Sequence, residues 1–409
     1  MNIYSNRCLI IGTDNRAEEL IMKNKITKHL AALALLNLVS APAFSGQLNI
    51  NEIEDLSKLA KYKDVTTIKR NFAKDVALNY NLLNSDLKQT LNQYNLTLNA
   101  DQLSSLGMQK QQNIGEANSA LQQLKGLPQN TGSLLQVRLA SDTMLADWQQ
   151  GQSPLFAFAP QGDDKLWTEI EAFDQFGQIH YLAVDELPEQ PVFVVELDQQ
   201  KVQSAGIAVM RSILSPEKLN DGAFGQINQL NNEKPMQTSV LKKIHLADDK
   251  EPWISGKAEV YAIVTGIDPS RDEPILDIVD LPYLDHDETT YSPNQVVIHW
   301  QRYRWQAVDM LLMEQDDNTN YKTLASKLLE ITEQVMSNIP DLQAQGFAII
   351  PKLTNELLKA MPDEWFTNND DYVDVFYTLF ENKDYQEYKG ASSNATITLS
   401  PLVINPRQN

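Results

Sequence analysis

Between Asp268 and Tyr291 the chain carries six aspartates and two glutamates against one arginine. Asp268, Asp272, Asp277, Asp280, Asp285 and Asp287 are separated by prolines and short apolar runs, so this is not a simple acidic tract. Calcium takes about six to eight oxygen ligands, commonly carboxylates converging from loops. Asp285-His286-Asp287 is the sharpest pattern, since two carboxylates one residue apart can turn to one side of a curved loop. The bland alternative is a solvated acidic loop.

Two more acid clusters adjoin expected strands. Glu314, Asp316 and Asp317 follow the apolar run ending in Leu312-Met313, and Asn368, Asn369, Asp370, Asp371 and Asp374 open "YVDVFYTL". Asp370 and Asp371 complete the set of candidate metal ligands, with calcium as the expected ion. The first cluster also suits a helix start, where acids cap free amides and meet the positive end of the dipole. "DDNTNYKTL" imitates an EF-hand opening, but Tyr321 stands where glycine is needed and Lys327 where glutamate is needed.

Catalysis has few candidates. Of His180, His245, His286 and His299, only His286 has acidic neighbours on both sides, and none forms a zinc-type pair. Ser270 lies near aspartates without a positioned histidine, and no nucleophile elbow, phosphate loop or dinucleotide fingerprint is present. The expected function is therefore a binding protein of unknown ligand. A metal-assisted secreted hydrolase using carboxylates and His286 is the alternative, and a structural envelope protein the third reading.

The elements that must position these acids are of two textures. From Asn51 to Leu127 apolar residues recur at three- and four-residue steps through Val65, Ile68, Phe72, Val76, Leu83, Leu87 and Leu91. That spacing predicts two or three helices, with a break at Asn84-Ser85-Asp86 and an end at Gly126-Leu127-Pro128. Strands then follow in "SLLQVRLA" and "PLFAFAP", a hairpin turning at Asp174–Gly177, and a buried strand in "PVFVVEL". "KVQSAGIAVMRSIL" reads as a helix, and the amide-rich Asn220–Thr238 stretch as a linker. Farther on, "KAEVYAIVTGI", "NQVVIHWQRYRW", "AVDMLLMEQD", "DYVDVFYTLFE" and "NATITLSPLVI" read as strands around two amphipathic helices. The predicted class is α+β, with a helical region at 47–127, a small α+β domain at 129–250, and a β-sandwich with a helical insertion at 251–409.

"MKNKITKHLAALALLNLVSAPAFSG" reads as an export signal, with a basic start, a short apolar run and either Ala41-Pro42-Ala43 or Ala43-Phe44-Ser45 as the cleavage pattern. Residues 1–21 are expected to be a mis-assigned extension and 22–45 the signal. The apolar run is too short to span a bilayer, so the expected location is periplasmic or secreted. The one cysteine, Cys8, lies in the extension. Net charge is -20, and 29 basic against 51 acidic side chains remain after Ala43. Such a chain repels nucleic acid; a protein, glycan or envelope component is the expected partner.

The motifs "IEAFDQFGQIHYLAV", "EVYAIVTGIDPSRDEPILDIVDLPYLDHDETTYSPNQVVIHWQRYRW", "LLMEQDDNTNYKTLA" and "NDDYVDVFYTL" resemble an uncharacterised family of exported gammaproteobacterial proteins. The resemblance implies export and a compact mature chain, and assigns no catalytic residue. Residues 255–405 also resemble, in layout alone, calcium-dependent sandwiches of the C2 type.

Overall fold

The computed structural model describes residues 62–106, 111–162, 166–214, 235–247, 252–255, 259–270, 273–284, 288–314, 317, 319–337, 345–361 and 372–406. The expected extension, the signal and most of the 220–238 linker lie outside them. Helix α1 (Val65–Thr90) starts where the Asp64 carboxylate accepts from the Thr67 amide (2.6 Å), relieving one free donor of the first turn. Val65, Ile68, Phe72, Val76, Leu83 and Leu87 are all buried on one face. The break expected at Asn84–Asp86 is absent. Leu83 and Leu87 carry the buried stripe through it, and the Tyr80 hydroxyl occupies Asn84 by donating to its Oδ1 (2.8 Å).

Strand β1 (Thr97–Asn99) and helix α2 (Ala100–Ser105) lead to α3 (Gln111–Leu124). Helix α3 ends as expected at Gly126, whose φ is +68°. That left-handed turn lets the Gly126 amide reach the Gln123 carbonyl (3.1 Å) and the Leu127 amide reach Gln122 (2.7 Å).

A six-stranded sheet joins β1 to β2 (Leu135–Leu139), β3 (Leu155–Phe158), β4 (Glu169–Phe173), β5 (Ile179–Ala183) and β6 (Val192–Leu197), with α4 (Leu145–Gln150) between β2 and β3. Its order is β1-β2-β6-β3-β4-β5, with β3 parallel to β6 and the other pairs antiparallel. Helix α1 crosses one face, where Tyr80 lies 5.6 Å from Phe156 and Phe156 stacks on Phe193 at 5.5 Å. The helical region and this sheet therefore share one core. Helix α5 (Gln199–Leu214) follows β6.

The remaining strands form a sandwich: β7 (Met236–Leu246), β8 (Val260–Ile267), β9 (Pro274–Asp280), β10 (Thr290–Tyr291), β11 (Gln295–His299), β12 (Ala307–Glu314), β13 (Tyr372–Phe380), β14 (Tyr385–Lys389) and β15 (Ala395–Ile404). One sheet runs β10-β7-β15-β14, with β11 also on β7, and the other runs β13-β12-β8-β9. Between them lie Leu241, Ile244, Val264, Trp300, Met310, Phe376 and Ile397. The inserted helices α6 (Tyr321–Ser337) and α7 (Ile349–Ala360) set Leu324, Leu328, Leu353 and Leu357 in one cluster with Tyr261, Ile263, Leu311 and Met313, the outer face of the second sheet. Strand β7 precedes the expected boundary at 250, yet pairs with β15 from Met236↔Ile404 to Leu246↔Ala395. Leu59–Asn409 form one compact unit.

Candidate functional site

The acid-rich stretch is only partly a loop. Its middle, "PILDIVD", is β9, registered against β8 from Pro274↔Ile267 to Asp280↔Tyr261. Strand alternation places Asp277 and Asp280, three residues apart, on opposite faces, so they do not converge on one ion. Asp277 turns inward: the Tyr303 hydroxyl donates to its Oδ2, and the Arg302 guanidinium meets its Oδ1. Burial pushes the Asp277 carboxyl up to about 7, against the pull of the Tyr303 hydroxyl and the Arg211 charge. The Arg302 guanidinium at Oδ1 favours the carboxylate form.

Asp280 is half-buried. Burial raises its carboxyl too, opposed by Arg211, which also caps the open edge of β9 by donating to the Ile278 carbonyl (Nε 3.0 Å, Nη2 2.8 Å). The Asp280 carbonyl accepts from Gln295 Nε2 (2.9 Å), and the Tyr283 hydroxyl donates to Gln295 Oε1 (2.8 Å). Asp268 closes an Asx turn at the end of β8, accepting from the Ser270 amide (2.7 Å) and hydroxyl (2.6 Å). Asp272, Asp285, Asp287, Asp370 and Asp371, together with His286, lie outside the described residues. Among the described residues no group of three or more His, Cys, Asp or Glu is arranged to hold a metal.

From the other two acid clusters, Asp374 and Asp317 each hold parts of the fold together. Asp374 is buried, and its carboxylate accepts from the amides of Val375 (2.8 Å), Ser392 (2.9 Å) and Ala395 (2.8 Å). Asp317 takes the Lys69 ammonium on Oδ2 and Gln199 Nε2 on Oδ1 (3.0 Å), while its carbonyl accepts from Lys125 Nζ (3.1 Å). Burial alone would raise the Asp317 carboxyl, but Lys69 and Lys125 outweigh it and hold it below the ordinary range. Both lysines are about fully buried, 1% and 0% exposed, which lysines tolerate only when paired. Next to this hub Asn320 donates to the Leu124 carbonyl (2.7 Å) and accepts from the Thr323 amide (3.1 Å), joining the end of α3 to the start of α6.

The hairpin of β4 and β5 has the opposite character. The Asp174 amide bonds the Gln178 carbonyl and the Val184 amide the Thr168 carbonyl. In an antiparallel ladder this directs the backbone groups of Ile179, Tyr181 and Ala183 away from β4. Trp253 Nε1 reaches the Ala183 carbonyl (3.4 Å), leaving Ile179 and Tyr181 as the outward rungs. Phe176 (70%), Tyr181 (67%) and Ile179 (46%) are exposed, as are Leu78 and Leu82 on α1. Leu78 lies over Gly177 at the hairpin turn. From Gln175 to Val184 there is no formal charge. His180, on the other face, meets Asp174 Oδ2 at 3.1 Å.

A family model described as "Protein of unknown function (DUF3103)" matches residues 69–407. The chain belongs to this family. No curated protein and no solved structure matches it. The DUF3103 span takes in all three sheets, the Lys69–Asp317–Lys125 hub and the exposed hairpin. Sequence reasoning missed that hub, although one signal was available. Lys69 sits in the apolar stripe of α1, where Lys69, Phe72, Ala73 and Val76 fall at helical steps, and a lysine there needs a partner from elsewhere in the chain. No helix among the described residues is long and apolar enough to cross a membrane.

Proposed function

We propose that this chain is an exported binding protein, periplasmic or secreted, that docks a partner along the open edge of its six-stranded sheet. The observation that carries the proposal is the hairpin. Strand β5 turns the backbone groups of Ile179 and Tyr181 outward beside exposed Phe176 and Leu78, with no charge from 175 to 184. An exposed strand edge is a template for an added strand. The described carboxylates support binding over hydrolysis, because Asp277, Asp317 and Asp374 are engaged by Tyr303, Lys69 and backbone amides. Calcium enters the proposal as an ion of the acid loop, carried by Asp272, Asp285 and Asp287 with Asp370 and Asp371.

Photocrosslinking in living cells tests the docking edge. A photoreactive amino acid at Tyr181 is expected to give a discrete adduct. The same residue at Tyr94, 89% exposed in a turn beyond α1, serves as the control and should give none. No adduct from 181, or equal adducts from both positions, would overturn the proposal.

A further inference from the structure

Every other sheet edge among the described strands carries a device that discourages pairing. Strand β1 has three residues. The register of β14 shifts between Tyr385 and Tyr388, and it carries Glu387 and Lys389. Pro293 separates β10 from β11, and β11 is bulged between Val296 and Ile298. Strand β13 is irregular opposite Val308–Met310. Strand β9 holds two aspartates and is capped by Arg211. Short length, charge, proline and bulges are the usual means of blunting an edge. Strand β5 has no charge, proline or bulge, and its one cap, Trp253 on the Ala183 carbonyl, leaves Ile179 and Tyr181 uncovered.

The outward rungs of β5 are self-complementary. In an antiparallel pairing of two copies about a two-fold axis at His180, Ile179 of each copy stands opposite Tyr181 of the other. Both pairs are hydrogen-bonded pairs, so the outward amides and carbonyls of 179 and 181 are satisfied together. Cross-strand register within the hairpin puts Ile179 and Tyr181 opposite Phe173 and Glu171, which touch Arg70 of α1. The two Ile–Tyr pairs therefore form on the α1 face, as β-branched–aromatic pairs of the kind that stabilise sheets. Beyond them Ala183 meets Gly177, small against small. With a net charge of -20 on each copy, close approach needs an uncharged contact, and 175–184 provides one.

We infer that two copies of this chain pair edge to edge through β5, joining their six-stranded sheets into one continuous sheet. This rests on the docking reading above and names its occupant.

Sedimentation equilibrium of the full chain should give twice the chain mass. Tyr181→Pro removes an outward amide and leaves the β4 ladder intact; it should sediment at the single-chain mass with an unchanged circular dichroism spectrum. Should Tyr181→Pro misfold, Tyr181→Lys serves in its place. Position 180 gives a sharper check. Paired residues at a non-hydrogen-bonded position lie about 4.5 Å apart at Cα, within the range a disulfide needs. With Cys8 replaced by serine, His180→Cys should crosslink into dimers under copper-phenanthroline oxidation, and Tyr181→Pro should abolish the crosslink. A monomeric wild type, or a crosslink that survives Tyr181→Pro, overturns the self-pairing. If the chain is monomeric and the adduct at 181 contains another protein, docking stands and only the occupant changes; if 181 gives no adduct, both readings fall.

Discussion

Lys69 and Asp317 are 248 residues apart in the chain and joined by a direct ion pair, with the Lys69 side chain 2% and the Asp317 side chain 25% exposed. The pair ties α1 to the segment that leads into α6. Removing one member of such a pair leaves the other charge buried, which costs more than the intact pair contributes. Lys69→Met is expected to destabilise the protein by about 3 kcal/mol, the lower end of the usual range because Asp317 is partly exposed. Asp317→Asn should cost a similar amount, since its one amide oxygen cannot accept from both Lys69 and Gln199 and it leaves Lys69 and Lys125 buried without an anion. Urea unfolding of both single variants and the double gives the coupling energy, and additivity would show that the pair does not couple. Because Asp317 is held below its unfolded value, its contribution is present above about pH 4 and is lost as pH falls further.

Asp309 behaves in the opposite sense. It is fully buried in β12, its Oδ1 accepts from the Thr378 amide (2.7 Å), and Thr378 adopts a φ of +56° at the irregular pairing. Burial pushes its carboxyl up to about 6, with the Thr378 amide and the Thr354 hydroxyl opposing. The folded value exceeds the unfolded one, so the folded state binds the extra proton and stability falls as pH rises from about 4 to about 6. Asp309→Asn keeps the acceptor and removes the charge. It should be more stable than wild type at pH 7 by about 2–3 kcal/mol, with the gap closing towards pH 4. Guanidinium melts at pH 4, 5, 6 and 7 check this; a pH-independent gap would show that ionisation is not its cause.

Asp374 and Gly390 are a matched pair. A Cβ at Gly390 would stand 2.2 Å from the Asp374 carboxyl carbon, which is committed to three backbone amides. Asp374→Ala leaves those amides buried without acceptors, at about 1–3 kcal/mol each before relaxation. Gly390→Ala instead forces the carboxylate off them. Both variants should lower the melting temperature strongly. Hydrogen exchange should rise first at Ser392 and Ala395, and uniform exchange across the sandwich would mean that the turn is not the weak point.

These relationships mark where the sequence was legible. "VFVVEL" announced β6 because a strand buried on both faces is a continuous apolar run, and Asp174–Gly177 announced the hairpin through local turn chemistry. The export signal was read from residues that lie outside the described structure. The break at Asn84–Asp86 was misread because cap-forming residues also sit inside helices when the apolar stripe continues past them. β7 was hidden because its partner β15 lies at the other end of the chain, and local pattern carries no information about that pairing. Asp277 and Asp280 looked like loop ligands until β9 set them on opposite faces. Lys69 and Lys125 drew no attention, and Asp374 was read only as one of an acid cluster, because a buried charge is recognised only by its distant partner.

The calcium proposal now rests on Asp272, Asp285, Asp287, Asp370 and Asp371, since Asp268, Asp277 and Asp280 are held by Ser270, by Tyr303 with Arg302, and on the opposite face of β9. An ion that binds only the folded chain stabilises it by about 2.7 kcal/mol at about 100-fold above its dissociation constant. Magnesium should do less, because its rigid octahedral shell suits a loop of several carboxylates poorly. Asp285→Asn with Asp287→Asn keeps size and removes two charged ligands, so the double variant should lose the calcium response and gain stability without calcium. Asp277→Asn should change stability while leaving the calcium response intact, because that carboxylate faces the sandwich interior. Calorimetric melting of the full chain in millimolar calcium and after chelation separates these outcomes. An unmoved wild-type curve removes calcium from the function, and a response lost in Asp277→Asn would return that residue to the site.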